Sequence, residues 1–170
     1  MADDTINATL EGAQPNGADT APQIGMIAQY VKDLSFENPN APGIYQQQAQ
    51  PQIDVQFHIA VAAVADDVHE VTMKIDVRAQ GEADATIFAV ELVYAGLFGA
   101  RNVAPEQLSP FLYAEAPRLL FPFARRIVAD VTRDGNFMPL MLDPIDFGAM
   151  YMQQAQAASQ LAENEPAGQA

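Results

Sequence analysis

Few side chains of this chain are suited to a metal-binding site. The two histidines, His58 and His69, lie in segments that alternate between apolar and polar residues, at positions we expect to face outward. The chain has no cysteine, which rules out thiolate ligands and disulfides. Two imidazoles without cysteines or suitably spaced carboxylates make a poor ligand set. We therefore expect no bound metal ion.

The serines, glycines and paired acids do not form a catalytic motif either. Ser35, Ser109 and Ser159 lie outside any G-x-S-x-G sequence. The stretch GLFGAR has the wrong glycine spacing for a phosphate-binding loop and contains no lysine. Asp66 and Asp67 fall in a predicted turn, where solvated carboxylates are common. With no acid, base, nucleophile or ion to nominate, we predict neither an enzyme nor a cofactor.

A set of arginines recurs at seven- and eight-residue spacing in a segment with helical periodicity. The set comprises Arg118, Arg125, Arg126 and Arg133. One interpretation is a solvated helix face in an acidic protein. The other is a salt-bridge surface between helices or subunits, with Glu115 and Asp130 as candidate partners.

Composition limits the possible partners and compartments. The chain has 170 residues, of which 49% are hydrophobic, and a net charge of −14. Such a charge repels nucleic acid and anionic lipid and favours a basic partner. We find no secretory signal pattern and no apolar stretch of the ~20 residues that a membrane helix needs. We expect a cytoplasmic protein with a disordered acidic tail (1–24), a folded domain (25–152), and a helix end with a disordered tail (153–170).

Alternating apolar and polar residues predict four strands within 24–36, 52–64, 70–79 and 85–98. Short turns join the last three, which favours an antiparallel sheet with one covered face. The residues expected to point toward that cover are Ile53, Val55, Phe57, Ile59 and Val61, then Val71, Met73, Ile75 and Val77, then Phe88, Val90, Leu92 and Tyr94.

Helical spacing replaces strand alternation after residue 104. We predict one helix within 109–135, ended by Gly135, with Pro117 and Pro122 starting or kinking it. Its predicted apolar stripe is Leu119/Leu120, Phe123, Ile127 and Val131. A second helix follows, with Asp143 or Asp146 as its N-cap. The fold class is therefore α+β: a four-stranded antiparallel sheet with two helices packed on one face.

The stretch DLSFENPNAPGIYQQQAQP (33–51) places large apolar residues in a proline-rich loop. They are Leu34, Phe36, Ile44 and Tyr45. They either fold back to cap the core or line a groove for extended apolar polypeptide. Phe147, Met150, Tyr151 and Met152 of the second helix allow the same two interpretations, core packing or an adaptable binding surface.

Acidic residues gather near the mouth of that loop. Ala89 and Glu91 are expected on the outward face of their strand, and Asp33 and Glu37 lie four residues apart at the mouth of the loop. A flat acidic patch of this kind either keeps the protein soluble or docks a basic surface of a partner.

Three segments closely resemble the SecB family of bacterial protein-export chaperones. They are YVKDLSFENPNAP (30–42), VELVYAGLF (90–98) and LLFPFARRIVADVTRDGNFMPLMLDPIDFGAMY (119–151), and the similarity covers about 25–152 in the same order. The resemblance implies a homotetramer, built as a dimer of dimers, with long helices between two sheets. It also implies ATP-independent binding of unfolded precursor proteins in apolar grooves and their delivery to SecA, the translocase ATPase.

The resemblance also assigns residues to three surfaces. The client groove matches Phe36, Ile44, Tyr45, Ile53, Val55, Phe57, Met150 and Tyr151; the SecA patch matches Asp33, Glu37, Ala89 and Glu91; positions linked to assembly match Val90, Leu92 and Tyr94. Ala89 stands where the family commonly has leucine, which implies a weaker contact there. Ala49 stands where the family's loop often has tryptophan, and the chain contains no tryptophan.

Three other hypotheses remain beside the export chaperone. An adaptor would bind one folded basic partner and ignore unfolded chains. A small-molecule-binding protein or enzyme would need a closed pocket with convergent polar groups, and the missing catalytic set argues against it. A SecB-like chaperone tied to a toxin–antitoxin pair is the last, and the acidic patch and full-length resemblance favour export instead.

Overall fold

The computed structural model describes residues 20–46 and 50–164. The predicted tail residues 1–19 and 165–170, and the loop position Ala49, lie outside the described residues. Four strands form one sheet in the order β1-β4-β3-β2, with each neighbouring pair antiparallel. The strands are β1 (Gln23–Glu37), β2 (Gln52–Ala65), β3 (Val68–Gln80) and β4 (Thr86–Arg101).

Alternation along β3 and β4 produces the predicted buried face. Val71, Met73, Ile75 and Val77 are fully buried, as are Val90 and Leu92 on the neighbouring strand. On β2, an edge strand, the equivalent residues Val55, Phe57, Ile59 and Val61 are only half-buried. The predicted inward set is confirmed except at Ile53, which is exposed near the start of β2, and burial is greatest on the two central strands.

The helical part is one long segment followed by a separate helix. It consists of α1 (Pro105–Pro110), a π-helical turn (Phe111–Glu115), α2 (Ala116–Asp134) and α3 (Phe147–Asn164). The π-helical turn lies between Pro110 and Pro117, where missing proline N–H groups favour a change in hydrogen bonding. The helical segment thus starts earlier than predicted. Pro117 lies in the first turn of α2, and Pro122 lies inside α2.

The apolar stripe predicted for this helix is confirmed at Leu120 and wrong at Leu119 and Phe123, while Ile127 and Val131 are partly buried against the core. Leu119 and Phe123 are exposed, whereas Leu120, Ala124 and Val128 pack on the sheet. The buried face is rich in small residues, which let α2 approach the sheet closely. A Cβ at Gly96 of β4 would lie 2.8 Å from Leu120 Cδ2. Counting large residues could not reveal a buried stripe built partly of alanine.

The end of α2 also differs from the prediction. Gly135 has a φ of −74°, and it is Asn136 that adopts the left-handed conformation, with a φ of 64°. Glycine is required at 135 for space, because a Cβ there would overlap the ring of Phe36. The glycine therefore allows strand β1 to pack under the helix end.

The loop predicted over 33–51 is shorter than expected. Strand β1 continues to Glu37, so Leu34 and Phe36 lie on a strand, opposite Leu92 and Val90 of β4. Pairing can continue this far because the first proline of the segment is Pro39. Ile44 and Tyr45 belong to a 3-10 turn, Gly43–Gln46.

The connector between α2 and α3 is fixed by a buried threonine. Thr132 Oγ1 accepts a hydrogen bond from Leu140 N (2.9 Å) and donates to Val128 O (2.9 Å). Thr132→Val should lower the free energy of unfolding by about 1–3 kcal/mol, because a buried N–H group loses its acceptor. Thr132→Ser, which keeps the hydroxyl, should cost less. Urea unfolding at equal protein concentration tests this, and equal stability of the valine variant and the parent would contradict it.

Candidate functional site

Hydrogen bonds hold the loop turn against the end of α2. Asn38 Nδ2 donates to Tyr45 Oη (2.7 Å), and Tyr45 Oη donates to Gly135 O (2.9 Å). The Tyr45 ring packs on Phe137 with 5.7 Å between centroids. Asn40 Nδ2 donates to Thr86 O (2.8 Å), which ties the loop to the start of β4. The tyrosine ring is thus fixed in place while much of its surface stays open.

An open apolar crevice of about 400 Å³ lies between this turn and the connector after α2. We call it the loop crevice; its lining residues are Ile44, Tyr45, Pro51, Ile87, Asn136, Phe137 and Met138. Ile44 is only 5% exposed and forms the floor, whereas Tyr45 is 42% and Met138 89% exposed. The crevice therefore offers apolar surface to solvent on rigid walls.

The predicted groove residues fall into two groups. The first group is Phe36, Ile44 and Tyr45, of which Ile44 and Tyr45 line the loop crevice. Phe36 lies behind the crevice, because it stacks on Phe88 at 6.1 Å and Phe88 in turn contacts Phe137. The second group lies where α3 packs on the rest of the protein and consists of Val55, Phe57, Met150 and Tyr151. Ile53, on the edge strand β2, is exposed.

Aromatic contacts dock the first turns of α3 on the body of the protein. Phe57 meets Phe121 at 6.1 Å, Phe121 meets Phe147 at 5.7 Å, and Tyr113 stacks on Tyr151 at 6.0 Å. Val55 and Met150 pack beside this group. Asp146, one of the two predicted caps, accepts a hydrogen bond from Ala149 N at 2.9 Å. Core packing is therefore the role of Phe147, while Tyr151 keeps partial exposure and Met152 is exposed.

Sequence reasoning missed Ile87, Phe137 and Met138 as parts of the crevice. The stretch FMPLML (137–142) had the same signal as the loop, namely large apolar residues beside a proline in a segment without periodicity.

The predicted acidic residues share the opposite face of the sheet. Glu37 lies across from Ala89, Ser35 from Glu91, and Asp33 from Val93 in the β1–β4 ladder. Within residues 20–46 and 50–164, no ion pair involves Asp33, Glu37 or Glu91. We call these three carboxylates the acidic row.

Strand β3 places both acidic and basic side chains beside the acidic row. Asp76 lies opposite Glu91 and pairs with Lys74 at 3.2 Å, while Arg78 lies opposite Ala89. A depression of about 200 Å³ is lined by these strands at Ala89. The small alanine side chain contributes one side of that depression.

A β-bulge between Val31 and Asp33 turns Asp33 to the acidic side. Tyr30 Oη and Lys32 Nζ both donate to the Glu70 carboxylate of β3, at 2.6 and 2.8 Å, across β4. The bond from Lys32, then that from Tyr30, lowers the pKa of Glu70, and the bond to Glu70 raises the pKa of Tyr30. This tie fastens the edge strand at the bulge.

Three of the four predicted arginines pair within the continuous helical segment, whereas Arg125 takes part in no ion pair among the described residues. Arg118 donates to Glu115 at 2.7 and 2.9 Å, and Asp130 pairs with both Arg126 and Arg133 at 3.4 and 3.2 Å. Glu115 and Asp130 thus pair with arginines of the same helical segment, and not between helices as one interpretation had it.

The residues assigned to assembly lie inside the protomer. Val90 and Leu92 are fully buried beneath α2, and burial raises the pKa of Tyr94. Exposed apolar residues lie instead on β1 and on the uncovered side of α2. We call this set the edge surface; it comprises Met26, Val31, Leu34, Leu119 and Phe123.

Two further features bear on the class of protein. In the part of the chain that the structure describes, no three His, Asp or Glu side chains converge as metal ligands would. Over the same residues, no helix combines the length and apolar character needed to cross a bilayer. An open apolar crevice on one face and an unpaired acidic row on the other are typical of a protein that binds other polypeptides.

Comparisons with known proteins identify the family. A family model described as preprotein translocase subunit SecB matches residues 17–158. The protein-export protein SecB of Rhizorhabdus wittichii is 64% identical over 155 residues, 91% of this chain and 93% of that protein. That of Sphingopyxis alaskensis is 57% identical over the full length of both. The chain therefore belongs to the SecB family of protein-export chaperones.

A solved structure supports the fold. It contains a SecB-like chaperone of Mycobacterium tuberculosis in complex with a ChAD peptide from the HigA1 antitoxin. The TM-score is 0.60 at 19% identity, over 72% of this chain and 90% of that one. At this identity the similarity establishes the shared α+β fold and says nothing about a shared partner.

Proposed function

We propose that this chain is an ATP-independent holdase that binds unfolded precursor proteins, keeps them competent for translocation and delivers them to SecA. The observation that carries the proposal is the loop crevice, an apolar surface that stays open while its walls are hydrogen-bonded in place. A protein that had to bind one small molecule would instead enclose it.

Client binding would combine apolar burial with backbone pairing. Each square ångström of apolar surface covered contributes ~25 cal/mol, so one crevice binds weakly. Strand β2 pairs only with β3 among the described strands and leaves its other edge, next to exposed Ile53, available for an extended chain. Several crevices in one assembly would raise the affinity for long clients through effective concentration.

The acidic row is the proposed SecA contact. Asp33, Glu37 and Glu91 lie on a face separate from the crevice, so a client and SecA can be bound together. Unpaired carboxylates attract a basic surface and speed its association. Ala89 contributes little apolar area at this contact.

The edge surface is the proposed site of assembly into a homotetramer. Its exposed apolar side chains follow one side of α2 and the edge strand β1, whose outer side pairs with no other described strand. This is the pattern of a surface that a second copy covers. Val90, Leu92 and Tyr94 would act indirectly, by fixing the position of α2 from beneath. We place the assembly in the cytoplasm, without nucleic acid or inserted membrane segments.

The adaptor hypothesis remains the second candidate because the acidic row alone would dock one folded basic partner. It differs from the holdase in its prediction for unfolded chains. An adaptor would leave a chemically unfolded protein to aggregate.

Capture of a chemically unfolded, slowly refolding protein without nucleotide tests the proposal. At stoichiometric amounts, the parent chain should suppress light scattering from aggregation. Tyr45→Asp should weaken capture roughly tenfold, because a carboxylate replaces an apolar wall of the crevice. Tyr45 is the better target than Ile44, whose burial makes Ile44→Asp a folding defect.

Val64→Asp is the matched control, because Val64 is also exposed and apolar but lies at the far end of β2. It should leave capture unchanged. If the parent chain is folded and aggregation still proceeds, the adaptor hypothesis takes first place. If the parent captures clients and Tyr45→Asp captures equally well, the groove lies elsewhere.

A further inference from the structure

We propose that Met138 is an oxidation site at which conversion to methionine sulfoxide weakens client capture reversibly. The inference rests on the proposed function, since it concerns the loop crevice as a client-binding surface. It assigns to one side chain of the crevice a chemical modification by peroxide-class oxidants.

Exposure and position together single out Met138. It is 89% exposed, follows Phe137 in the connector, and forms part of the crevice opposite Tyr45. Met73, by contrast, is fully buried on β3. The chain contains no cysteine, so its methionines are its sulfur atoms open to oxidation.

The chemistry needs only a two-electron oxidant such as hydrogen peroxide. The thioether sulfur attacks one peroxide oxygen; an S–O bond forms, the O–O bond breaks, and the second oxygen leaves as water. Sulfur is oxidised by two electrons and the peroxide is reduced. A thiol-dependent methionine sulfoxide reductase returns the sulfoxide to the thioether, with release of water and formation of a disulfide in the reductase.

Oxidation of Met138 makes this wall of the crevice more polar, and that change is the reason we expect weaker client capture. A thioether is a flexible, polarizable contact for apolar side chains of varied shape. The sulfoxide oxygen is a strong hydrogen-bond acceptor, and covering it with an apolar client leaves it without water. Oxidation should therefore weaken capture roughly fivefold, a loss comparable to one unsatisfied polar group. Folding should be unaffected because the side chain is almost wholly in solvent.

The experiment compares the full-length chain with Met138→Leu and Met141→Leu. Met141 is 58% exposed in the same connector but does not line the crevice, so it is the matched control. Each protein is treated with limiting hydrogen peroxide, which catalase then removes before the unfolded client is added. Mass spectrometry measures oxidation at each methionine, and light scattering measures capture.

We expect oxidised parent and Met141→Leu to lose capture about fivefold, Met138→Leu to keep it, and reductase treatment to restore the parent. Met138→Gln, a polar mimic, should lose capture without oxidant. Unchanged capture with Met138 oxidised would overturn the inference, as would an equal loss in Met138→Leu. Failure of the untreated parent to capture clients would instead count against the proposed function.

Discussion

Glu91→Lys should weaken SecA binding at least about tenfold and leave client capture intact. Glu91 lies in the centre of the acidic row, opposite Ser35 on β1 and Asp76 on β3. The substitution both removes an attractive carboxylate and presents a cation to a basic partner, so its effect is larger than that of neutralisation. The crevice lies on the other face of the sheet and should not sense the change.

A matched control has the same change in charge away from the row. Asp66→Lys, in the turn between β2 and β3, is suitable because Asp66 is exposed and lies at the end of the sheet remote from Glu37. Isothermal titration with purified SecA at low and physiological salt gives the two affinities. If Glu91→Lys and the parent bind SecA with equal affinity, the acidic row is not the SecA contact. Loss of client capture as well would show that Glu91 has a structural role.

Strand alternation explains why the sheet was predictable. Residues of β3 and β4 alternate between the face covered by the helices and the opposite face, so burial follows the period of two, with Ile87 and Ala95 of β4 as buried exceptions. The same regularity placed Ala89 and Glu91 on the outward face. Asp33 reached that face only through the bulge after Val31, which no local sequence signal indicated.

The helix stripe was not predictable by the same means. Leu119 and Leu120 are equally apolar neighbours, and choosing between them depends on which side of α2 meets the sheet. That choice is made by Ala116, Ala124 and Gly96, whose small size permits close approach. Exposed apolar residues such as Phe123 have the same spacing as core residues, so the helical pattern alone does not distinguish them.

The crevice was half predictable for a related reason. Large apolar residues beside prolines indicated Tyr45, because no regular element accounted for its burial. Phe137 and Met138 come from a distant part of the chain, and the hydrogen bond from Tyr45 to Gly135 and the contact of the Tyr45 ring with Phe137 bring the two segments together. Contacts of this kind depend on tertiary packing, which periodicity does not encode.

Phe123→Arg should break the assembly at the edge surface. Phe123 is 41% exposed on the protomer, so arginine can replace it there without disturbing the core. In a tetramer the same position would bury an unpaired cation against the apolar residues of a second copy. Removing a buried aromatic anchor alone costs about 2 kcal/mol or more, so subunit dissociation should rise at least about thirtyfold.

Light scattering after size separation, at several concentrations, measures the mass of Phe123→Arg against the parent. Val64→Arg is the control, because Val64 is an exposed apolar residue on β2, at the opposite edge of the sheet from β1. Circular dichroism verifies that both variants are folded. If the parent is tetrameric and the Phe123→Arg variant has the same mass, the edge surface is not the interface between subunits. Dissociation limited to Phe123→Arg would explain why this helix leaves large apolar side chains outside its own core: their cover is another copy of the chain.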